Sequence, residues 1–204
     1  ITAPEVSGLF GEMCGLYLAH MFELSSMPSD ATVIELGPGR GTLLRDMRHV
    51  WDQLMPPLAS APVRMLETSP TLRDEQADCL AGVADIAWHD DISPLLEDAA
   101  GPVFGIANEF FDALPVAQLV WQSGSWHRRL VGIEDGRLGF TTAEPCKAHD
   151  PALPPDPHDG MVAELCPLAE TVMQHLASAV ARRGGAVLVI DYGRDGNPGD
   201  SLQA

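Results

Sequence analysis

The chain has 204 residues, long enough for one α/β domain with a buried core and too short for two full ones. Apolar residues make up 46% and charged residues 20%, ordinary for a globular protein, and no run of about 18 apolar residues exists to cross a bilayer. Twelve basic against twenty-nine acidic residues leave a net charge of −17, which repels phosphate backbones, argues against nucleic acid as a partner, and serves either cationic ligands or solubility alone.

The chain opens on Ile1-Thr-Ala-Pro4 and not on a basic n-region, so no signal peptide is expected. Without a starting Met, the native N-terminus is expected to lie upstream. The Gly- and Asp-rich end predicts that the C-terminal part of the fold is missing too. Cys14, Cys79, Cys146 and Cys166 are scattered without a C-x-x-C pair or a His at ligand spacing, so neither a metal site nor a disulfide framework is expected. A reducing interior suits them, a bacterial cytoplasm in preference to a mitochondrial matrix.

In chain order, Thr2-Ala-Pro4-Glu5 reads as a capping box. Val6, Leu9, Phe10, Met13, Leu16, Tyr17 and Met21 then recur at helical spacing, predicting one amphipathic packing helix to about Leu24. Its capped start, Thr2 and Pro4 included, is also a candidate cofactor lid. Strands are predicted over 32–36, 63–67, 85–88 and 103–107, the last a mostly apolar run suited to a parallel strand buried on both faces. Helices are predicted from Leu43 to about Trp51 and from Pro70 to Leu80. Short strands over 116–121, 126–131 and 137–141, separated by Gln-Ser-Gly-Ser and Glu-Asp-Gly, predict an antiparallel meander. Five prolines between Pro145 and Pro157 mark a loop. A helix over 167–183 and a fifth buried strand over 186–190 follow. Strands alternating with helices predict a doubly wound α/β sheet. The division expected is a single domain, with a helix or lid over 1–30, a cofactor-binding half over 31–115, a meander insertion over 116–145, and a last helix and strand over 146–204.

Chemistry is expected at the carboxyl edge of that sheet. Gly37-Pro38-Gly39-Arg40-Gly41 lies between a strand and a helix, where glycines let a ligand approach the backbone and the helix start adds donors. A dinucleotide loop needs G-x-G-x-x-G, but here the third glycine comes one position early and Thr42 stands in its place. With Glu35 two residues upstream, this favours a cofactor bearing a carboxylate and an amino group over one bearing phosphates. Glu67 can accept both ribose hydroxyls of an adenosine-containing ligand, or serve the first turn of the next helix. Asp90 and Asp91 are candidates for an adenine amino group, or for a helix cap. Asn108, Glu109 and Asp112 are placed to orient a nitrogen nucleophile and help it lose a proton. Phe110 either walls a methyl-transfer pocket or packs as core, and Tyr192 either lines the substrate pocket or closes the sheet. No nucleophile–base order and no metal cluster stands out.

Together these segments resemble the MidA-like family of S-adenosylmethionine-dependent methyltransferases, which includes a mitochondrial complex I assembly factor that methylates arginine. The resemblance rests on Ile1-Thr-Ala-Pro-Glu-Val-Ser7, Glu35-Leu-Gly-Pro-Gly-Arg-Gly-Thr-Leu43, Glu67-Thr-Ser-Pro70, Asn108-Glu-Phe-Phe-Asp-Ala-Leu-Pro-Val116, Glu164-Leu-Cys-Pro167 and Ile190-Asp-Tyr-Gly193. It implies a seven-strand sheet binding S-adenosyl-L-methionine and releasing S-adenosyl-L-homocysteine. Gly37, Gly39 and Gly41 would lie near the methionine part and Glu67 near the ribose, with Glu109 and Asp112 facing the acceptor. The implied acceptor is a protein arginine in a complex I subunit. A small-molecule methyltransferase and a catalytically silent assembly protein are the alternatives. The resemblance covers essentially the whole chain, although family members begin before Thr2 and continue past the Asp-Tyr-Gly strand.

Overall fold

Strand β1 (Thr32–Leu36) is buried along its whole length, as its β-branched sequence requires of a strand covered on both faces. The computed structural model describes residues 3–146, 150–192 and 200–201. In it, β1 pairs in parallel with β2 (Val63–Leu66) and β4 (Val103–Asn108), while β3 (Ile86–His89) lies outside β2 and β9 (Gly185–Ile190) outside β4. The resulting sheet order is β3-β2-β1-β4-β9.

Side chains alternate across this sheet. Val33 joins a cluster with Leu18, Phe22, Leu44, Met47 and Trp51, from α2 (Gly8–Leu24) and α3 (Thr42–Leu54). Ile34 and Leu36 join another with Leu95, Leu96, Val172 and Leu176, from α6 (Ile92–Asp98) and α7 (Pro167–Arg183). Glu35 falls on the α2/α3 face. The remaining helices are α1 (Ala3–Val6), α4 (Pro56–Ala59) and α5 (Pro70–Cys79). Among the described residues, no helix is long and apolar enough to cross a membrane.

The first helix departs from expectation twice. It breaks at Ser7, whose backbone is extended and whose side-chain Oγ caps α2 by accepting the Leu9 N–H at 3.2 Å, in place of one helix started by a capping box; Thr2 lies outside the described residues. The buried face also differs. Leu9, Met13, Leu16 and Tyr17 are exposed, and α2 instead buries Gly11, Cys14, Gly15, Leu18, Ala19 and Phe22. The reason is close helix approach. A Cβ on Gly15 would stand 2.9 Å from Met47 Cα, and the Trp51 indole N–H donates to the Gly15 carbonyl at 2.8 Å. Small residues let the two backbones come together, so of the stripe that apolar periodicity named only Phe10 and Met21 pack against the core.

The chain divides into two compact units, Ile1–Ala113 with Thr171–Tyr192, and Leu114–Glu170 with Gly193–Ala204. The second unit contains an antiparallel sheet of order β7-β6-β5-β8. Strands β5 (Ala117–Gln122), β6 (Ser125–Glu134) and β7 (Arg137–Cys146) form the expected meander. Its turns place Ser123 and Gly124, then Asp135 and Gly136, at positive φ, as tight two-residue hairpins require. Strand β8 (Val162–Leu165) was not expected; it returns after the proline-rich stretch to pair with β5, so this sheet runs beyond residue 145. Leu119, Trp126 and Ala163 form the unit's own small core.

Gly15→Ala is therefore expected to destabilise the protein by roughly 1–3 kcal/mol through overpacking. Met13→Ala, on the stripe that periodicity favoured, should change stability by less than about 0.5 kcal/mol. Thermal melts of the two variants check this, and the reverse ranking would contradict the packing described.

Candidate functional site

The chain leaves β1 toward β2 and β3 and later returns to the opposite side of β1 as β4, which puts the switch point of the sheet between β1 and β4. Three backbone hydrogen bonds just past the strand ends fix residues at this edge. Gly37 N–H donates to the Leu66 carbonyl at 3.1 Å, Glu67 N–H to that of His89 at 3.0 Å, and Glu109 N–H to that of Ile190 at 2.9 Å.

After β1 the chain turns through Gly37, Gly39 and Gly41 at φ +63°, +53° and +79° and enters α3. A Cβ on Gly39 would meet no atom within 4 Å, so this glycine borders open space. A Cβ on Gly37 would lie 2.9 Å from Phe110 Cδ2. Phe110 thus packs against the loop, and its ring meets that of Phe111 edge-on at 5.2 Å.

A cavity of about 200 Å³ opens here, and its lining includes Pro4, Glu35, Gly37, Pro38, Gly39, Thr42, Asn108 and Glu109, eight of the residues singled out from sequence. Glu35 is 1% exposed, and its Oε2 has no hydrogen-bond partner. Burial pushes its carboxyl up to about 8; burial first, and then the nearness of Glu35, raises the Cys14 thiol. A desolvated, unpaired carboxyl on a cavity wall fits a ligand that brings its own cation. Glu109 holds φ +49°, a conformation that costs a non-glycine residue on the order of 1–3 kcal/mol and gathers at ligand sites.

The other expected residues lie around this cavity, not in its wall. Gly41 is the αL residue before α3 and is buried beside Gln76. Glu67 Oε1 accepts the Ser69 N–H at 2.8 Å, while Ser69 itself caps α5. Asp90 is exposed and pairs with Arg73 at 2.6 Å. Asp91 caps α6, accepting the Ser93 N–H at 3.1 Å. Asp112 is exposed, Tyr192 is 78% exposed, and Thr2 and Gly193 lie outside the described residues.

Sequence reasoning missed two supports. Asp191 Oδ2 accepts the N–H groups of Phe111 and Asp112 at 2.8 and 3.2 Å, holding the turn after Glu109. Gln76 is fully buried beneath the glycine loop. Its signal was available: it stands four residues from both Leu72 and Leu80, a polar residue on the inward stripe of a helix.

A parallel sheet of this order, a glycine loop after β1 and an acidic residue after β2 define a class I S-adenosylmethionine-dependent methyltransferase fold. The comparisons agree. The Methyltransf_28 model, which describes S-adenosyl-L-methionine-dependent methyltransferases, matches residues 13–204, and the chain belongs to that family. Over its full length it is 32% identical to the mitochondrial protein arginine methyltransferase NDUFAF7 of Danio rerio and 31% identical to that of Homo sapiens, covering 53% and 51% of those proteins. A COG1565 superfamily member from Burkholderia thailandensis, crystallised with S-adenosyl-homocysteine, superposes with a TM-score of 0.73 at 25% identity over 95% of this chain and 49% of its own. The chain thus spans about half the length of these relatives.

Glu35 gives the site a pH dependence. Its folded-state pKa of about 8 lies above its ordinary 4.5, so it is neutral below about 8, and the stability linked to its proton is fully present below about 4.5 and is lost as pH rises from there through about 8. A bound cation favours the charged form, so binding releases a proton. Affinity for S-adenosylmethionine should rise between about pH 6.5 and 9 and then level off, and Glu35→Gln should flatten that profile. Calorimetric titrations across this range check it; a flat wild-type profile would contradict the assignment.

Proposed function

We propose that this chain is the cofactor-binding part of a protein arginine N-methyltransferase, with its acceptor in a subunit of respiratory complex I. The observation that carries the reading is the pairing of Glu35 and Glu109 on one cavity at the switch point, the second in a strained conformation fixed by the Ile190 carbonyl. Family membership and the activity named for the relatives supply the reaction class. A net charge of −17 suits a cationic acceptor.

When bound, S-adenosylmethionine supplies an already activated methyl group, so the protein's task is orientation, exclusion of water and removal of a proton. Pro38, Gly39, Gly41 and Thr42 shape the seat of the methionine part, and Glu35 faces its positive charge. Glu67 is placed for the ribose, with Asp90 and Asp91 beyond it toward the adenine. Pro4, on the cavity wall, belongs to the lid. Glu109, with Asn108 and Asp112 on the same turn, holds the guanidinium through charge-assisted hydrogen bonds. A guanidinium keeps its proton in water, so the carboxylate must also accept it as the new N–C bond forms and the S–C bond breaks. Phe110 and Tyr192 flank the acceptor. Four cysteines without a disulfide suit the reducing bacterial cytoplasm we assign to it.

Glu109→Gln in the full-length protein, assayed on arginine-containing peptides with S-adenosylmethionine, should lower kcat by about a hundredfold or more while cofactor affinity stays unchanged. Full turnover by that variant would overturn the role given to Glu109.

A further inference from the structure

We propose that Gln76 is a positioning residue that sets the ribose selectivity of the cofactor site, by holding the Glu67 carboxylate in register with the glycine loop. The inference rests on reading Glu67 as the ribose ligand. Gln76 is fully buried in α5, yet every polar atom of its amide is engaged. Its Oε1 accepts the Trp88 indole N–H at 2.7 Å, and its Nε2 donates to the Gly39 carbonyl at 2.6 Å and to Glu67 Oε2 at 3.2 Å. An indole N–H can only donate, so it must face the amide oxygen. That turns the amide nitrogen toward its two acceptors and fixes which way the side chain lies.

The consequence falls on Glu67. One of its oxygens takes the Ser69 N–H and the other takes Gln76, while Arg73 secures its backbone carbonyl. A carboxylate offers about four lone-pair sites, so one donor on each oxygen leaves each oxygen able to accept once more. That spare capacity matches a vicinal diol. The same amide holds the carbonyl of Gly39, the glycine that borders open space. A single interior residue thus ties together the loop after β1, the end of β2 and strand β3. Leucine would fill the volume but donate nothing. Glutamate would set a second carboxylate against Glu67.

The test is a comparison of dissociation constants for S-adenosylhomocysteine and its 2′-deoxyribose analogue, measured by calorimetry on the full-length protein. The wild type should prefer the ribose form by about tenfold or more, the weight of a hydrogen bond to a charged group. Gln76→Leu should bring the preference close to unity, matching Glu67→Gln, with no further loss when the two are combined. Trp88→Phe, which leaves the core nearly filled but frees the amide to rotate, should reduce the preference as well, and it decides the matter if Gln76→Leu does not fold. Folded variants at Gln76 and Trp88 that keep the wild-type preference, whatever their melting temperatures, would reduce Gln76 to a packing residue and overturn the proposal. If Glu67→Gln itself keeps the preference, the ribose role of Glu67 falls, and this proposal falls with it.

Discussion

Each of the three inner strands of this sheet, β1, β2 and β4, runs into a residue whose N–H is fixed by the strand beside it. The N–H groups of Gly37, Glu67 and Glu109 bond to the last carbonyls of β2, β3 and β9, so three separate loops are held by the same lattice that closes the sheet. Gly37, Glu67 and Glu109 are themselves partly open to solvent, so these loops owe their placement to the strands they bond to. The loops can then carry a glutamate at φ +49°, and β1 a buried carboxyl with an unpartnered oxygen, features that are unfavourable by themselves. A desolvated carboxylate oxygen normally finds a partner, and the one on this cavity wall, from Glu35, marks where a ligand belongs.

The loops also brace one another. Gln76 links the glycine loop to Glu67, and Asp191 holds the turn that follows Glu109. Two sides of the cavity are thereby braced by Gln76 of helix α5 and by Asp191 just past β9, residues that do not themselves line it. Preorganisation of this sort suits methyl transfer, where the chemical activation arrives with the cofactor and the protein contributes mainly geometry.

Much of this was legible in the sequence, because the parallel strands are short apolar or β-branched runs and the glycine loop interrupts them in a way few folds share. The cavity residues Glu35, Gly37, Gly39, Asn108 and Glu109 follow from the rule that chemistry collects at the carboxyl edge. The packing of α2 was not legible. Its contact with α3 depends on Gly11 and Gly15, whose value is the absence of a side chain, while periodicity weights large apolar groups such as Leu9 and Met13. Strand β8 was hidden because its partner β5 lies some forty residues upstream, beyond a stretch of prolines. Gln76 was passed over for the opposite reason to the glycines. A lone glutamine in a short helix looks like surface; its place between Leu72 and Leu80 marks it as inward, and its three partners show what it holds.

The central claim is that the glycine loop and Glu35 form the seat of an S-adenosyl cofactor. Calorimetric titration of the full-length protein with S-adenosylhomocysteine, repeated on Gly39→Arg, tests it most directly, since a side chain at residue 39 would enter the open space of the cavity. The account predicts saturable one-to-one binding by the wild type and none by the variant, with both proteins folded. Absence of binding by the folded wild type, or equal binding by the variant, would contradict it.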